Sequence, residues 1–223
     1  FPEAIRLIEE IRPRAVMLEN VRGFLDPGFD EYREHIFSEI KKLGYVTHIK
    51  LLNASNFGVP QLRPRVVIVG IRKGQIGAFA YPEEKPNSAP TVGKVLYDLM
   101  AENGWEKAKE WAAHAGRIAP TLVGGSKKHG GPDLGPTRAR NAWAELGVDG
   151  RGIANEAPAA GFDGMPRLTS RMMARIQGFP DTWTFGKRKT VACRMIGNAF
   201  PPPVAQALSL IHISEPTRRR GIS

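Results

Sequence analysis

The sequence Ala-Val-Met-Leu-Glu-Asn-Val, residues 15–21, constrains the fold more than any other stretch of the chain. Its first four residues form an unbroken apolar run that follows Pro13 and precedes a turn at Gly23. Such a run, without alternation, predicts a strand covered on both faces, as in parallel α/β sheets. Glu19 and Asn20 follow this strand, and in open α/β sheets ligands bind beyond the carboxyl ends of strands. Glu19 therefore either gives a proton to a substrate or holds one on it, or it simply marks the point where the strand ends in solvent.

Helical and strand patterns alternate through residues 1–72. Apolar residues recur at helical spacing over residues 2–11 and 30–43, and Gly44 follows the second helix as a stop signal. Strand patterns cover residues 15–18, 46–52 and 65–71, and the last of these is the strongest strand signal in the chain. This order predicts the end of an α/β domain.

Residues 73–165 have a different character, because Gly and Pro become frequent and regular periodicity is confined to short pieces. Short helices are predicted near residues 92–99, 105–112 and 138–146. Between the last two lies a Gly-rich segment, residues 121–140, whose cations are Lys127, Lys128, Arg138 and Arg140. Its spacing of Gly, Lys and Ser does not match a phosphate-binding P-loop. The segment is either a solvated surface loop or one that lies against a sugar-phosphate backbone.

Regular structure returns at residue 166. Thr169 or Ser170 is positioned to cap a helix that runs to about Gln177, and helices are also predicted over residues 190–196 and 201–208, with a tight turn at 197–200. Three arginines spaced four apart are predicted to share one helix face, where they repel each other unless an anion lies opposite. This spacing favours phosphate contact over a neutral surface stripe for Arg167, Arg171 and Arg175, and a basic turn at residues 187–189 adds to the charge.

The composition favours a polyanionic partner. Lys and Arg total 32 against 22 Asp and Glu, which gives a net charge of +10, so nucleic acid is the first expectation and an acidic membrane surface the second. No apolar run approaches a membrane span, and the N-terminus does not resemble a signal peptide. The single cysteine, Cys193, excludes an internal disulfide framework, and the histidines lack ligand spacing, so no metal site is predicted. Because the chain starts at Phe1 within a helical pattern, we expect that its beginning is missing.

Four stretches, in this order and at this spacing, resemble the C-terminal half of the DNA cytosine-5 methyltransferases of bacterial restriction–modification systems. They are LENV at residues 18–21, QLRPR at 61–65, RLTSRMMARIQGFPDTW at 167–183 and RMIGNAFPPPVAQAL at 194–208. The resemblance implies an α/β fold that forms the C-terminal part of a Rossmann-like, S-adenosylmethionine-dependent methyltransferase sheet. It assigns residues 1–72 and 166–208 to the catalytic domain and residues 73–165 to an inserted, mostly irregular target-recognition domain.

Members of this family add a cysteine thiolate to carbon 6 of a flipped cytosine, and carbon 5 then takes the methyl group from S-adenosylmethionine. The resemblance assigns Glu19 to ring nitrogen 3, Asn20 to orienting its loop, Arg65 to the carbonyl oxygen of the base and Arg63 to supporting that pocket. It further implies that the final motif closes over the methyl donor through Gly197, Asn198 and Ala199. The implied partner is double-stranded DNA in a bacterial, nucleoid-associated cytoplasmic setting, with a cognate restriction endonuclease that the protein does not contact directly.

The chain also departs from the family pattern. The family's Pro-Cys pair and Gly-rich donor loop are absent, and Cys193 lacks a preceding proline, so we expect a packed core thiol and an inactive fragment. Residues 209–223 resemble the translation of a sequencing-library adapter rather than a family segment. Two alternatives stay open: a tRNA cytosine-5 methyltransferase, and a non-catalytic DNA-binding subunit of a split methyltransferase.

Overall fold

The computed structural model describes residues 1–74, 79–124, 132–186 and 188–213, and these divide into two compact units. The first unit contains Phe1–Asn53, Pro64–Glu83 and the described residues from Leu208 onward, and the second contains Ala54–Arg63 and Glu84–Ala207. In chain order the elements are α1 (Pro2–Ile11), β1 (Ala15–Val21), α2 (Asp30–Lys42), β2 (Tyr45–Asn53), β3 (Pro64–Arg72), α3 (Val92–Ala101), α4 (Ala108–His114), α5 (Thr137–Ala144), α6 (Ser170–Ile176), α7 (Lys189–Asn198) and α8 (Pro202–Ile213). Within these described ranges, no helix is long and apolar enough to cross a membrane.

The three described strands form one sheet in the order β1-β3-β2. Both outer strands pair with β3 in antiparallel register, so β1 and β2 run in the same direction on either side of it. The prediction that residues 15–18 form a strand covered on both faces was wrong, because β1 is an outer strand whose Met17 and Val21 are 48% and 54% exposed. The middle strand β3 is the covered one, with Val66–Ile71 all buried.

The first unit packs one face of this sheet against two helices. Ile8 of α1, Ile36 and Ile40 of α2, and Val66 and Ile68 of β3 belong to one buried cluster. Acidic residues occupy the first turn of α2 and lysines its last turn, which is the arrangement that the helix dipole favours. The predicted helices over residues 2–11 and 30–43 are therefore confirmed, and together they position the sheet that carries Glu19.

The second unit has its own core, built from short helices and irregular segments. Trp105, Trp111 and Trp143 are buried there with Leu168, Met172 and other apolar side chains of α3, α4, α6 and α7. The predicted short helices are confirmed as α3, α4 and α5, with ends that differ from the predicted ranges by at most three residues.

Helix α7 extends further than the sequence predicted. Gly197 and Asn198 belong to this helix, so the predicted tight turn at residues 197–200 was wrong for its first two positions. Residue 197 is tightly packed on a second glycine, since a Cβ atom there would lie 2.4 Å from the Gly124 nitrogen. Helix α8 likewise runs to Ile213, past the predicted end at residue 208.

Helices α3 and α4 pack so closely that the contact admits only glycine at residue 93. A Cβ atom at Gly93 would lie 1.9 Å from the Ala112 carbonyl oxygen, so Gly93→Ala should destabilise the chain by about 2–3 kcal/mol. Urea unfolding of the full chain measures this effect. Gly116→Ala is the control, because the nearest atom to that Cβ position is 3.4 Å away, and a similar loss in both variants would contradict the packing explanation.

Candidate active site and nucleic-acid interface

Glu19 and Arg65 form an ion pair on one face of the first unit's sheet. Residue 65 pairs in register with Val21, so Glu19 is its diagonal neighbour on the same face. Arg65 Nε lies 2.6 Å from Glu19 Oε1, and the two side chains are 14% and 32% exposed. Burial lowers the pKa of the Arg65 guanidinium, and the Glu19 carboxylate opposes that shift. The structure thus brings together the two residues predicted to hold the cytosine. Their carboxylate and guanidinium groups are both partly accessible to solvent.

Glu19 and Asn20 lie within β1 rather than after it. The strand continues to Val21 because residues 19, 20 and 21 pair with Val67, Val66 and Arg65, so the predicted strand end at residue 18 was wrong. Asn20 Oδ1 accepts a 2.8 Å hydrogen bond from the Val21 amide. This bond holds the backbone just after Glu19, and the orienting role predicted for Asn20 stays a prediction.

Arg63 belongs to the second unit and is fully buried there. Its guanidinium donates 2.8 Å to the Leu122 carbonyl, 2.6 Å to the Gly197 carbonyl and 3.0 Å to the Ala199 carbonyl. These bonds tie Leu122, near the start of the Gly-rich segment, to the end of α7. In the described structure Arg63 therefore bonds to backbone carbonyls of two separate segments of the second unit and holds those segments together.

Two glutamines extend this contact, and sequence analysis gave neither of them a role. Gln61 donates 2.6 Å to Gln177 Oε1 and accepts 2.8 Å from the Leu122 amide, and Gln177 donates 2.6 Å to the Ala199 carbonyl. We call Gln61, Arg63 and Gln177 the buried polar cluster. The bond between Gln61 and Gln177 joins positions 116 residues apart in the chain, so no local pattern predicts it, although both glutamines lie inside the resembling motifs.

The three residues predicted to contact the methyl donor differ in their surroundings. Gly197 is buried against Gly124, and its carbonyl is bonded to Arg63. The Ala199 carbonyl accepts from both Arg63 and Gln177. Asn198 is exposed, so its amide is the side chain of this set that fits a polar contact with a donor molecule.

The arginines predicted to share one helix face do not all lie on that helix. Arg167 precedes the N-cap Thr169, so the prediction of a three-arginine helical stripe was wrong, because α6 begins only at Ser170. Arg171 and Arg175 lie on α6, and carboxylates of the protein lie opposite them. Arg171 pairs with Glu102 at 2.9 Å and with Asp181 at 3.4 Å. Arg175 pairs with Asp98 and Asp181, and hydrogen bonds to Asp181 raise the pKa of Arg175. Their contact with DNA stays a prediction.

Arg167 instead belongs to a second group of charges. Asp149, which is 9% exposed, accepts a 3.0 Å hydrogen bond from Arg167 Nε and a 2.9 Å bond from Arg151 Nε. Arg140 lies beside this loop, since a Cβ atom at Gly150 would be 3.2 Å from the Arg140 Cα. Sequence analysis missed Arg151; the Asp-Gly-Arg turn at residues 149–151 was the signal available for it.

The remaining predicted cations have no described contact that assigns them a role. Arg138 is exposed on α5. Lys127 and Lys128, like Lys187 of the predicted basic turn, lie outside the described residues. Their predicted contact with a sugar-phosphate backbone therefore stays a prediction.

The Asp149 ion pairs should make stability depend on pH. Burial acts to raise the pKa of Asp149, but hydrogen bonds from Arg151 and Arg167 outweigh it and lower the pKa to about 2. A lowered carboxyl pKa contributes stability above its unfolded value near 4 that is lost as pH falls through the folded value. Asp149→Asn should thus cost about 2 kcal/mol at pH 7, and little near pH 2.

Urea unfolding of both chains between pH 7 and pH 2 measures the difference. Asp163→Asn is the matched control, because Asp163 pairs with Lys107 in an exposed ion pair, which contributes little. A difference between wild type and Asp149→Asn that does not change with pH would show that Asp149 acts through packing alone.

The only cysteine in the chain is a core thiol, as predicted. Cys193 is fully buried among apolar side chains of the second unit, with its sulfur 3.7 Å from that of Met173. Burial raises the pKa of this thiol, and the thiolate is the nucleophilic form. Cys193 is therefore unsuited to attack a base. Among the described residues no group of three or more His, Cys, Asp or Glu is placed to hold a metal ion.

Comparison with known sequences finds a matching family model and similar proteins over most of the chain. The sequence model of the C-5 cytosine-specific DNA methylases matches residues 1–212. The chain is 56% identical over 211 residues to the Type II methyltransferase M.NaeI of Lentzea aerocolonigenes, a match that covers 93% of this chain and 51% of that protein. It is 50% identical to the Type II methyltransferase M.NgoMIV of Neisseria gonorrhoeae, over 93% of this chain and 67% of that protein. The chain thus spans about half of the first relative and two thirds of the second.

Solved structures show the same fold at low identity. A protein described as a DNA modification methyltransferase encoded within an E. coli prophage matches 94% of this chain and 71% of its own, with a TM-score of 0.61 and 21% identity. A DNMT2 variant from Spodoptera frugiperda matches 96% of this chain and 70% of its own, with a TM-score of 0.57 and 13% identity.

Proposed function

The chain belongs to the C-5 cytosine-specific DNA methylase family, and from this premise we propose that it holds the target cytosine and contacts DNA in a DNA cytosine-5 methyltransferase. The observation that carries the proposal is the Glu19–Arg65 ion pair at 2.6 Å. Both residues carry charged side chains that lie on one partly open face of the sheet. A carboxylate and a guanidinium placed side by side match one edge of cytosine.

That edge consists of ring nitrogen 3 and the adjacent carbonyl oxygen. In the proposed complex, Glu19 accepts a hydrogen bond from a proton held at nitrogen 3, through the carboxylate oxygen that Arg65 Nε does not contact. Arg65 donates to the carbonyl oxygen through Nη2, since its Nη1 already donates 2.9 Å to the Pro64 carbonyl. Both contacts withdraw electrons from the ring and prepare carbon 6 for attack by a nucleophile. Asn20 holds the Glu19 backbone through its bond to Val21.

The attacking thiolate is not supplied by Cys193, because that sulfur is buried in the core. We infer that the nucleophile comes from a segment outside these 223 residues. The methyl donor is S-adenosylmethionine, which supplies an electrophilic methyl group when bound. Asn198 is the residue of this chain that would contact it, and the buried polar cluster holds the neighbouring backbone of Gly197 and Ala199 in place.

In this proposal the first unit is the C-terminal part of a Rossmann-like catalytic sheet, and residues 73–165 form the target-recognition domain. The net charge of +10 supports contact with a polyanion such as double-stranded DNA. The target base leaves the duplex to reach the Glu19–Arg65 pair, as chemistry on a stacked base requires. The Type II relatives support a bacterial cytoplasmic setting with a cognate restriction endonuclease as part of this proposal.

The test uses a joined protein, in which this chain is fused to the part of the Lentzea aerocolonigenes relative that its match does not cover. The joined protein is incubated with labelled S-adenosylmethionine and either duplex DNA or tRNA, and the labelled nucleoside is identified after digestion. We expect 5-methylcytosine from DNA. Label in tRNA alone would support an RNA methyltransferase, and DNA binding without label in either substrate would support a binding subunit.

A further inference from the structure

Two arginines of the second unit share one carboxylate, and each donates to it through Nε. Arg151 and Arg167 both bond to Asp149 through Nε, to Oδ1 at 2.9 Å and to Oδ2 at 3.0 Å respectively. In the described part of the chain, the terminal Nη1 and Nη2 atoms of both arginines make no hydrogen bond. Asp149, Arg151 and Arg167 are called the Asp149 cluster below. The cluster presents two pairs of N–H donors whose orientation is set by one buried carboxylate.

The backbone that carries this cluster is fixed at three points. The Asp149 amide donates 2.9 Å to the Pro166 carbonyl, and the Leu134 amide donates 3.0 Å to the Gly150 carbonyl. The Arg151 amide donates 3.0 Å to Asp149 Oδ1, which closes the Asp-Gly-Arg turn. Because the turn and the Nε contacts are both held, Arg151 loses little further freedom when it binds a ligand.

The two guanidinium groups line a grooved and accessible part of the surface. Arg151 and Arg167 side chains are 69% and 48% exposed. A groove of about 460 Å³ is lined by Asp149, Met165 and Arg167, and an adjoining groove of about 420 Å³ is lined by Asp149, Arg151 and Met165. Met165 is 47% exposed between them, so each arginine has an apolar surface beside its polar edge.

The carboxylate decides which part of DNA this surface fits. A phosphate oxygen placed on Arg151 would lie close to the negative charge of Asp149, which repels it. The edge of guanine is neutral and carries two adjacent acceptors, O6 and N7, which match the two donors of a guanidinium held by its Nε. We propose that the Asp149 cluster reads guanine in the major groove, with Arg151 as the main contact. This inference rests on the proposed function, since it assumes duplex DNA as the substrate.

The test is a binding selection of the full chain on a randomised DNA duplex library, with the bound sequences read out. Wild type is expected to enrich a sequence that contains guanine at defined positions. Arg151→Lys keeps the charge but loses the two-donor fork, so discrimination for guanine at one position should fall by about 10- to 100-fold. Asp149→Asn keeps both arginines but removes the carboxylate that orients them, so the preference for guanine should weaken. The overall affinity for duplex DNA should not fall, because both positive charges remain.

Arg117→Lys is the matched control, because Arg117 is a 64% exposed arginine of the same unit that pairs with Glu145. Its selected sequences should equal those of wild type. Unchanged guanine preference in both Arg151→Lys and Asp149→Asn, in a chain that does select a sequence, would overturn this inference alone. A wild-type chain without affinity for duplex DNA would overturn the proposed function and the inference together.

Discussion

Replacing Glu19 with glutamine in the joined protein is expected to slow methyl transfer by a factor of roughly 10²–10⁴, while the affinity for duplex DNA changes little. Glutamine keeps the size of the side chain and one acceptor oxygen, so the contact with Arg65 persists in part. It removes the negative charge that stabilises a proton at ring nitrogen 3. The loss should therefore fall on kcat and leave the DNA dissociation constant near that of wild type.

Glu39→Gln is the control for a lost carboxylate, because Glu39 makes an ion pair with Lys42 in the same unit. This variant should retain full activity. Single-turnover methylation and DNA binding are measured on all three proteins. An equal loss of methyl transfer and DNA binding in Glu19→Gln would mean that Glu19 maintains the sheet rather than acts on the base.

Replacing Arg63 with methionine is expected to destabilise the chain by about 3–5 kcal/mol, the largest effect on stability that we predict. Arg63 is fully buried and bonds to the carbonyls of Leu122, Gly197 and Ala199. Methionine fills similar space but removes the donor from the Leu122 and Gly197 carbonyls, whereas the Ala199 carbonyl keeps its bond from Gln177. Each buried acceptor that loses its partner is costly. The free energy of unfolding is measured in urea on the full chain.

Arg117→Met removes the same charge from an exposed ion pair and should change stability by less than about 0.5 kcal/mol. Arg63→Lys separates charge from geometry, since lysine retains the charge but lacks the planar fork that reaches several carbonyls. We expect the free energy of unfolding of Arg63→Lys to remain well below that of wild type. A loss under about 1 kcal/mol in Arg63→Met would show that the contacts of Arg63 do not hold the second unit together.

The elements that sequence analysis predicted best are those with local signals. Helix α2 has acidic residues in its first turn, lysines in its last and Gly44 after it, and both of its ends lie within a residue of the prediction. Strand β3 was the strongest apolar run and is the buried middle strand. Strand β1 was misjudged because an apolar run does not reveal whether a strand lies at the middle or the edge of a sheet.

The residues of the candidate site likewise divide into those that a local sequence signal identifies and those that it does not. Glu19 and Arg65 came from short motifs, and the ion pair between them is consistent with their predicted common role. Arg151 was missed because its importance depends on Asp149 and on Arg167, which lies 18 residues from Asp149 in the chain. The predicted anion opposite Arg175 exists, but it is a pair of aspartates that helical spacing does not identify. Partners that come from distant segments become visible only in the folded chain.

The most direct test of the central claim is to trap the joined protein on a duplex that carries 5-fluorocytosine at the target position and to map the cross-linked peptide. Once the methyl group has been transferred from S-adenosylmethionine to carbon 5, release of the nucleophile requires loss of the proton at carbon 5. Fluorine cannot leave in this way, so the bond between the nucleophile and carbon 6 persists. We expect the cross-link in a peptide outside these 223 residues, and trapping should survive Cys193→Ser. A cross-link at Cys193 would contradict the claim that this chain holds the cytosine and leaves the attack to another segment.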